Sequence, residues 1–221
     1  QGGIVSPALA NIFLHEVLGS WFEETVKPRM HGRAHLVRYA DDAVLLFERE
    51  DDARRVLRVI YDRFATYGLT VHPEKTRLVQ FTRPPRDADS PKPHSGTFDL
   101  LGFTHYWRRS RRGNWIIDRK TAKDRYARTL QALNQWCRAN RHRPVREQWR
   151  TLCRKLEGHY RYFGVPGNRR QLSAVWSATH RRWCYWLNRR SQRGRMPWDR
   201  FHQLLEQYPL PPPRLLARHR A

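Results

Sequence analysis

The chain has 221 residues, enough for one large domain or two smaller ones with a real core. Lys plus Arg number 43 against 20 Asp plus Glu, a net +23, and the surplus is confined: residues 1–100 carry 14 basic and 14 acidic side chains, residues 101–221 carry 29 and 6. A polyanion, most simply nucleic acid, is the expected partner of the second half, and apolar runs of only about five residues exclude a membrane-spanning helix.

Gln1-Gly2-Gly3-Ile4-Val5-Ser6-Pro7 opens the chain. Ser6 is expected to cap a helix whose first residue is Pro7. Leu9, Ile12, Phe13 and Val17 mark its apolar face, broadened by Leu14, Leu18 and Trp21. Gly2 and Gly3 leave a backbone that a bulky ligand can approach, or form a plain turn entering the helix. The opening on Gln rather than Met, with no signal peptide, reads as a piece of a longer protein.

Lys27 to Ala34 is a connector with Pro28 and Gly32. The stretch Arg38-Tyr39-Ala40-Asp41-Asp42-Ala43-Val44-Leu45-Leu46-Phe47 follows. It sets two carboxylates between apolar runs, a hairpin with the acids at its tip and a buried strand after them. Like charges held side by side are left in water or given a cation. Paired carboxylates suit Mg²⁺, a hard cation, and two such ions about 3.5–4 Å apart can serve phosphoryl transfer. A third acid is then needed. Asp99 and Asp118 flank another hairpin and Asp87 and Asp89 lie in a loop, so it is expected upstream of residue 1. The alternative is a solvated turn.

Val56, Leu57, Ile60 and Phe64 repeat at helical spacing after an acidic start at Glu48 to Asp52, and Gly68 stops that helix. Leu69-Thr70-Val71 and Leu78-Val79-Gln80-Phe81 read as short strands around a turn, His72-Pro73-Glu74-Lys75-Thr76. Residues 83–97, rich in Pro, Asp, Ser and Gly, read as a mobile loop with no core signal. Phe98 to Phe103 and Asn114 to Ile117 read as one hairpin around a basic turn, Arg108 to Gly113.

Helical periodicity takes over from Arg119. Tyr126, Leu130, Leu133 and Trp136/Cys137 line one helix; Trp149, Leu152, Cys153, Leu156, Tyr160 and Phe163 the next; Leu172, Val175, Trp176, Thr179, Trp183 and Leu187 a third. A shorter helix from Trp198 to Tyr208 precedes a Pro-rich basic tail, Pro209 to Ala221. The fold expected is α+β. Residues 1–118 form a mixed unit with an antiparallel sheet, 119–208 an all-α bundle, and 209–221 a tail. Cys137, Cys153 and Cys184, odd in number and without a Cys-x-x-Cys pair, fit a reducing compartment and packing as small apolar residues.

Arg and aromatic residues interleave in the second half: Tyr106-Trp107-Arg108-Arg109, His159-Tyr160-Arg161-Tyr162, Arg181-Arg182-Trp183, and Trp186 to Arg190. Arg binds phosphates bidentately and stacks on bases, and aromatic faces stack on unpaired bases. Arg108, Arg109, Arg161, Arg181, Arg182, Arg189 and Arg190 are therefore the RNA-binding candidates. At helical spacing most of the tryptophans are core instead, and a solvated helix face is the alternative for the arginines.

Several blocks in order resemble one family. Gln1 to Asn11 looks like the fourth conserved block of reverse transcriptases, Tyr39-Ala40-Asp41-Asp42 the fifth, Gly68-Leu69 through Glu74-Lys75-Thr76 the sixth, and Leu101-Gly102-Phe103 the seventh. Leu156 to Asn168, Trp183 to Ser191 and Pro209-Leu210-Pro211 resemble the thumb, or maturase-specific domain, of bacterial group II intron-encoded reverse transcriptase/maturases. The resemblance covers nearly the whole chain. It implies the C-terminal part of a polymerase palm followed by that thumb. Asp41 and Asp42 would be the catalytic and metal-site acids, Asp41 the surer direct ligand. Lys75 would serve the leaving pyrophosphate, unless it is a surface lysine after a turn. Tyr39 would pack beside the primer end. Gln1, Gly2 and Gly3 would lie along the incoming nucleotide and template, and Leu101, Gly102 and Phe103 would form a primer grip, a role compatible with a buried strand end and a bulge glycine. The implied cofactor is Mg²⁺. The implied partners are intron RNA, an RNA template with a DNA primer, and dNTPs, in a bacterial cytoplasm and not at a membrane. The family's fingers, first catalytic aspartate, His-Asn-His endonuclease pattern and zinc cysteines are not found in the sequence. An RNA-binding splicing cofactor, its palm remnant a scaffold, is the alternative function.

Overall fold

The computed structural model describes residues 5–87, 96–191 and 196–216. The chain divides into two compact units, Gln1–Phe81 and Thr82–Ala221. The division by sequence pattern at 118/119 differs from this one. It cuts through a strand, and the sheet that contains this strand lies in the same unit as the helical bundle.

In the first unit, helix α1 spans Ser6–Leu14 and runs on as a π-helical segment, His15–Val26, and a 3₁₀ turn, Lys27–Arg29. Val5, not Ser6, is the N-cap, and no side chain caps the helix. Val17, Leu18, Phe22 and Val26 are buried, but Leu9 and Ile12 are 60% and 62% exposed. The apolar stripe expected from Leu9 to Val17 is thus covered only at its C-terminal end.

Strands β1, Ala34–Tyr39, and β2, Asp42–Phe47, form an antiparallel two-stranded sheet. Helix α2, Glu50–Thr66, follows with three acids in its first turn, where the helix dipole favours them, and Gly68 ends the segment at φ +68°. Phe22, Val26, Ala34 and Val56 form the core, with Leu36, Leu45 and Phe47 packed on it. Ala43 to Phe47 is not a buried strand: Val44, Leu45 and Phe47 are half-buried, Ala43 is exposed, and Leu46 is 43% exposed. Residues 69–72 and 76–81 are irregular, not strands, because no neighbouring strand pairs with them. The turn between them is present: the amides of Lys75 and Thr76 donate to the His72 carbonyl.

Buried Asp52 holds the connector in place. It accepts from the Gly32 amide at 2.9 Å and the Arg55 guanidinium at 2.7 Å. Burial alone would raise its pKa; the amides of Gly32 and His31 and the Arg55 guanidinium outweigh that and hold it below the ordinary carboxylate value.

The second unit starts with a three-stranded antiparallel sheet, β3 Phe98–Leu100, β4 Phe103–Arg109 and β5 Trp115–Thr121. One expected hairpin is two. The extra corner is the two-residue turn Leu101-Gly102, both at positive φ (51° and 76°), the combination that suits right-twisted strands. Part of the expected mobile loop is fixed: Pro84 is buried, and the carbonyls of Pro85 and Arg86 accept from Trp115 Nε1 and Arg109 Nη2, each at 2.7 Å.

Helices α3 Lys123–Ala139, α4 Val145–Phe163, α5 Arg169–Asn188 and α6 Trp198–Gln207 form the bundle. Their core is the one the periodicity marks, with Leu152, Leu156, Leu172, Val175 and Trp183 each at most 1% exposed. Buried Gln148 satisfies the Trp183 indole N–H at 2.9 Å and itself donates to the carbonyls of Arg141 and Arg143. The three cysteines are free. Burial pushes the Cys137 thiol up to about 12 and that of Cys153 up to about 11, so both pack as inert groups. The described part of the tail is docked: Leu210 is buried, the Pro209 and Pro211 carbonyls accept from Trp149 Nε1 and Tyr160 Oη, and Gly164 leaves room for the Arg214 carbonyl, 2.8 Å from where a Cβ would stand.

Candidate functional site

The acid pair sits on the β1–β2 hairpin, whose register pairs Tyr39 with Asp42. The two turn residues are therefore Ala40 and Asp41, with Ala40 at φ +50°, and Asp42 is the first residue of β2. This shifts the corner one residue from Asp41-Asp42. It also separates the carboxylates by role: Asp41 rides the turn, while Asp42 shares the open sheet face with Tyr39, Val37, Val44 and Leu46. Tyr39 is 67% exposed.

Arg38 fixes the tip. Its guanidinium donates from Nη1 to Asn11 Oδ1 at 3.0 Å and to the Ala40 carbonyl at 3.1 Å, and from Nη2 to the Asn11 carbonyl at 3.3 Å. One side chain thus ties the turn to α1. Sequence reading missed this role; the signal was an Arg at the strand residue before the Tyr, on the covered face. Both acids are exposed, and among the described residues neither has an ion-pair or hydrogen-bond partner. Four oxygens of hard donor character, unneutralised and adjacent, suit a divalent cation in donor chemistry. No group of three or more potential metal ligands occurs among the described residues.

Lys75 lies on its own turn, exposed, with no hydrogen bond or ion pair to either acid. Gln1, Gly2 and Gly3 lie outside the described residues.

Residues 1–105 match the family model for reverse transcriptase (RNA-dependent DNA polymerase). No curated protein matches the chain. The matched stretch contains the acid hairpin, the Lys75 turn and the Leu101-Gly102-Phe103 corner.

The Leu101-Gly102 corner of this matched stretch is held from the helical side of its own unit. Tyr162 Oη donates to the Leu101 carbonyl at 2.9 Å, the Gly102 carbonyl accepts from the Ala122 amide at 2.9 Å, and Phe103 stacks on Tyr162 with ring centres 5.9 Å apart. Tyr162 is a positioning residue that the pattern of arginines and aromatics concealed, since it reads equally as a base-stacking group.

The arginine candidates divide into two sets. Arg161, Arg181, Arg182 and Arg189 are exposed, and among the described residues none has a carboxylate partner; Arg189 lies over the Tyr185 ring at 5.0 Å. The others hold the fold. Arg108 pairs with Asp118, Arg109 bonds the Gly113 and Arg86 carbonyls and lies over Trp115, and Arg190 donates to the carbonyls of Arg141 and Arg143. As expected for the tryptophans, Trp115 and Trp183 are buried, and Trp136, Trp149, Trp176 and Trp186 pack against the bundle core.

Proposed function

We propose that the protein is the polymerase and RNA-binding part of a group II intron-encoded reverse transcriptase/maturase, extending an RNA-templated DNA primer and binding intron RNA in splicing and mobility. The observation that carries this reading is the rigid, open Tyr39-Ala40-Asp41-Asp42 tip inside the stretch that matches reverse transcriptases.

Asp41 and Asp42 would hold Mg²⁺, with at least one further carboxylate from outside the described residues. Bound there, the ion would favour ionisation of the primer 3′-hydroxyl and offset phosphate charge. Tyr39, on the Asp42 face, packs against the primer end. Gln1, Gly2 and Gly3 lie along the incoming dNTP and template. Lys75 gives a proton to, or balances charge on, the pyrophosphate that leaves as the 3′-oxygen bonds to the α-phosphorus. Leu101, Gly102 and Phe103 brace the primer strand. The exposed arginines Arg161, Arg181, Arg182 and Arg189 take RNA phosphates, and the protein works in the bacterial cytoplasm.

The test is Mg²⁺-dependent primer extension on an RNA template by the natural protein. Asp42→Ala is expected to abolish extension while leaving intron-RNA binding and thermal unfolding near wild type, because the carboxylate is exposed and unpaired. Retained extension would overturn the metal-site assignment. A second reading, a splicing cofactor without polymerase activity, draws on the confinement of basic charge to residues 101–221 and on the incomplete acid set. It predicts no extension by the wild type, with splicing intact.

A further inference from the structure

Helices α5 and α6 and the docked tail line an open cavity of about 530 Å³. That size is in the range of small-molecule sites, about 300–1,000 Å³. Trp176, His180 and Arg181 come to it from α5, and Trp198, His202 and Glu206 from α6. Buried Leu210 and half-buried Leu205 supply apolar wall. Trp198 is 49% exposed and stands edge-on to Phe201 at 5.6 Å.

We infer that this cavity takes one unpaired base of a single-stranded RNA segment, stacked on Trp198, with the adjoining phosphate on Arg181. The inference rests on the RNA-binding reading of the helical unit. Two indoles and two imidazoles give flat π-surface, to which any base can stack. Arg181 is exposed, and among the described residues no carboxylate neutralises it, which leaves it for a phosphate. Glu206 is exposed in the same way and can accept from an exocyclic amino group, a donor that adenine, cytosine and guanine have and uracil lacks. His180 Nδ1 is 2.8 Å from the Trp176 carbonyl, so it carries the proton there and the neutral ring keeps Nε2 as a further acceptor. A free nucleoside polyphosphate fits less well, because the lining holds one Arg and a carboxylate. A strand fits, because α5 also exposes Arg169, Arg170 and Arg182, and Arg189 is exposed just past its end.

The test uses the 221-residue chain and a single-stranded oligoribonucleotide carrying one 2-aminopurine, beside the same strand with an abasic site at that position. Affinities are measured across a salt series. The intact strand is expected to bind more tightly than the abasic one, with a change in 2-aminopurine fluorescence on binding. Trp198→Ala is expected to weaken the intact strand by roughly five- to a hundredfold, leaving the abasic strand and the salt slope unchanged. Arg181→Ala is expected to flatten the slope by about 0.7, one phosphate's worth. Glu206→Gln, a change at an exposed position, is expected to erase a preference for adenine or cytosine over uracil. Equal affinity for the intact and abasic strands, or a Trp198→Ala effect on both alike, overturns the pocket while leaving backbone binding standing. Binding of neither strand overturns the RNA-binding reading and the pocket with it.

Discussion

Asn168 and Thr121 are joined by two hydrogen bonds: the Thr121 amide donates to Asn168 Oδ1 at 2.9 Å, and Asn168 Nδ2 donates to Thr121 Oγ1 at 2.8 Å. The same Nδ2 donates to the Phe163 carbonyl at 2.8 Å. Asn168 is fully buried, so the end of β5, the last residue of α4 and the start of α5 meet on one amide. Asn168→Ala leaves the Thr121 amide N–H and hydroxyl without these partners, while the Phe163 carbonyl keeps the Val165 amide at 2.8 Å. The expected loss is about 2–3 kcal/mol, since each orphaned buried group costs about 1–3 kcal/mol. Urea unfolding of the variant measures it, and a loss below about 0.5 kcal/mol would show that water replaces the amide.

Gly167, the residue before it, is fixed by two constraints. Its φ is +92°, and a Cβ there would collide with the Asp118 carboxylate. Asp118 cannot retreat freely, being buried and paired with Arg108. Gly113 has φ +76° with open space where a Cβ would go, so only the backbone term applies. Gly113→Ala is expected to cost about 1–2 kcal/mol and Gly167→Ala about 3 kcal/mol or more, the difference being steric. Thermal unfolding of the two variants side by side reads that difference. Equal losses would mean the Asp118–Arg108 pair yields to a methyl group.

The four helices of the second unit were legible because Leu152, Leu156 and Tyr160, or Leu172, Val175 and Trp183, recur at the helical period and nothing else explains that spacing. The acid hairpin was legible for the same kind of reason, an acid pair between apolar runs. The corner at Leu101-Gly102 was not, because Leu almost never takes positive φ and a pattern reader continues the strand through it. The strands expected at 69–71 and 78–81 failed differently. Alternation and β-branching give a segment the capacity to pair, but a strand exists only beside a partner, and neither sheet offers one. The docking of the tail was not legible, because its Pro-rich basic composition carries no packing pattern; proline carbonyls are nonetheless good acceptors, and Trp149 and Tyr160 use them. Within the candidate site, residue types marked seven arginines alike, and only contacts separate exposed Arg161 from Arg108, whose guanidinium is committed to Asp118.

His159 gives the unit an acid-sensitive element. Its ring lies 4.7 Å from that of Phe163, and its Nε2 is buried with no hydrogen-bond partner. Burial lowers its pKa from 6.5 to about 4, because nothing in the pocket stabilises the imidazolium. The folded protein therefore binds this proton more weakly than the unfolded chain does. The stabilisation from keeping the ring neutral is complete above pH 6.5 and is lost progressively as the pH falls towards about 4. Its size is on the order of 2 kcal/mol once partial access of water is allowed for. His105 and His180 are also lowered chiefly by burial, so they add slope of the same sign as the pH falls. His159→Phe keeps an aromatic ring against Phe163 and removes the titration. Stability measured by urea unfolding at pH 7 and pH 5 is expected to fall less in the variant than in the wild type. An identical fall in both would show that His159 is already protonated in the folded protein or finds a partner there.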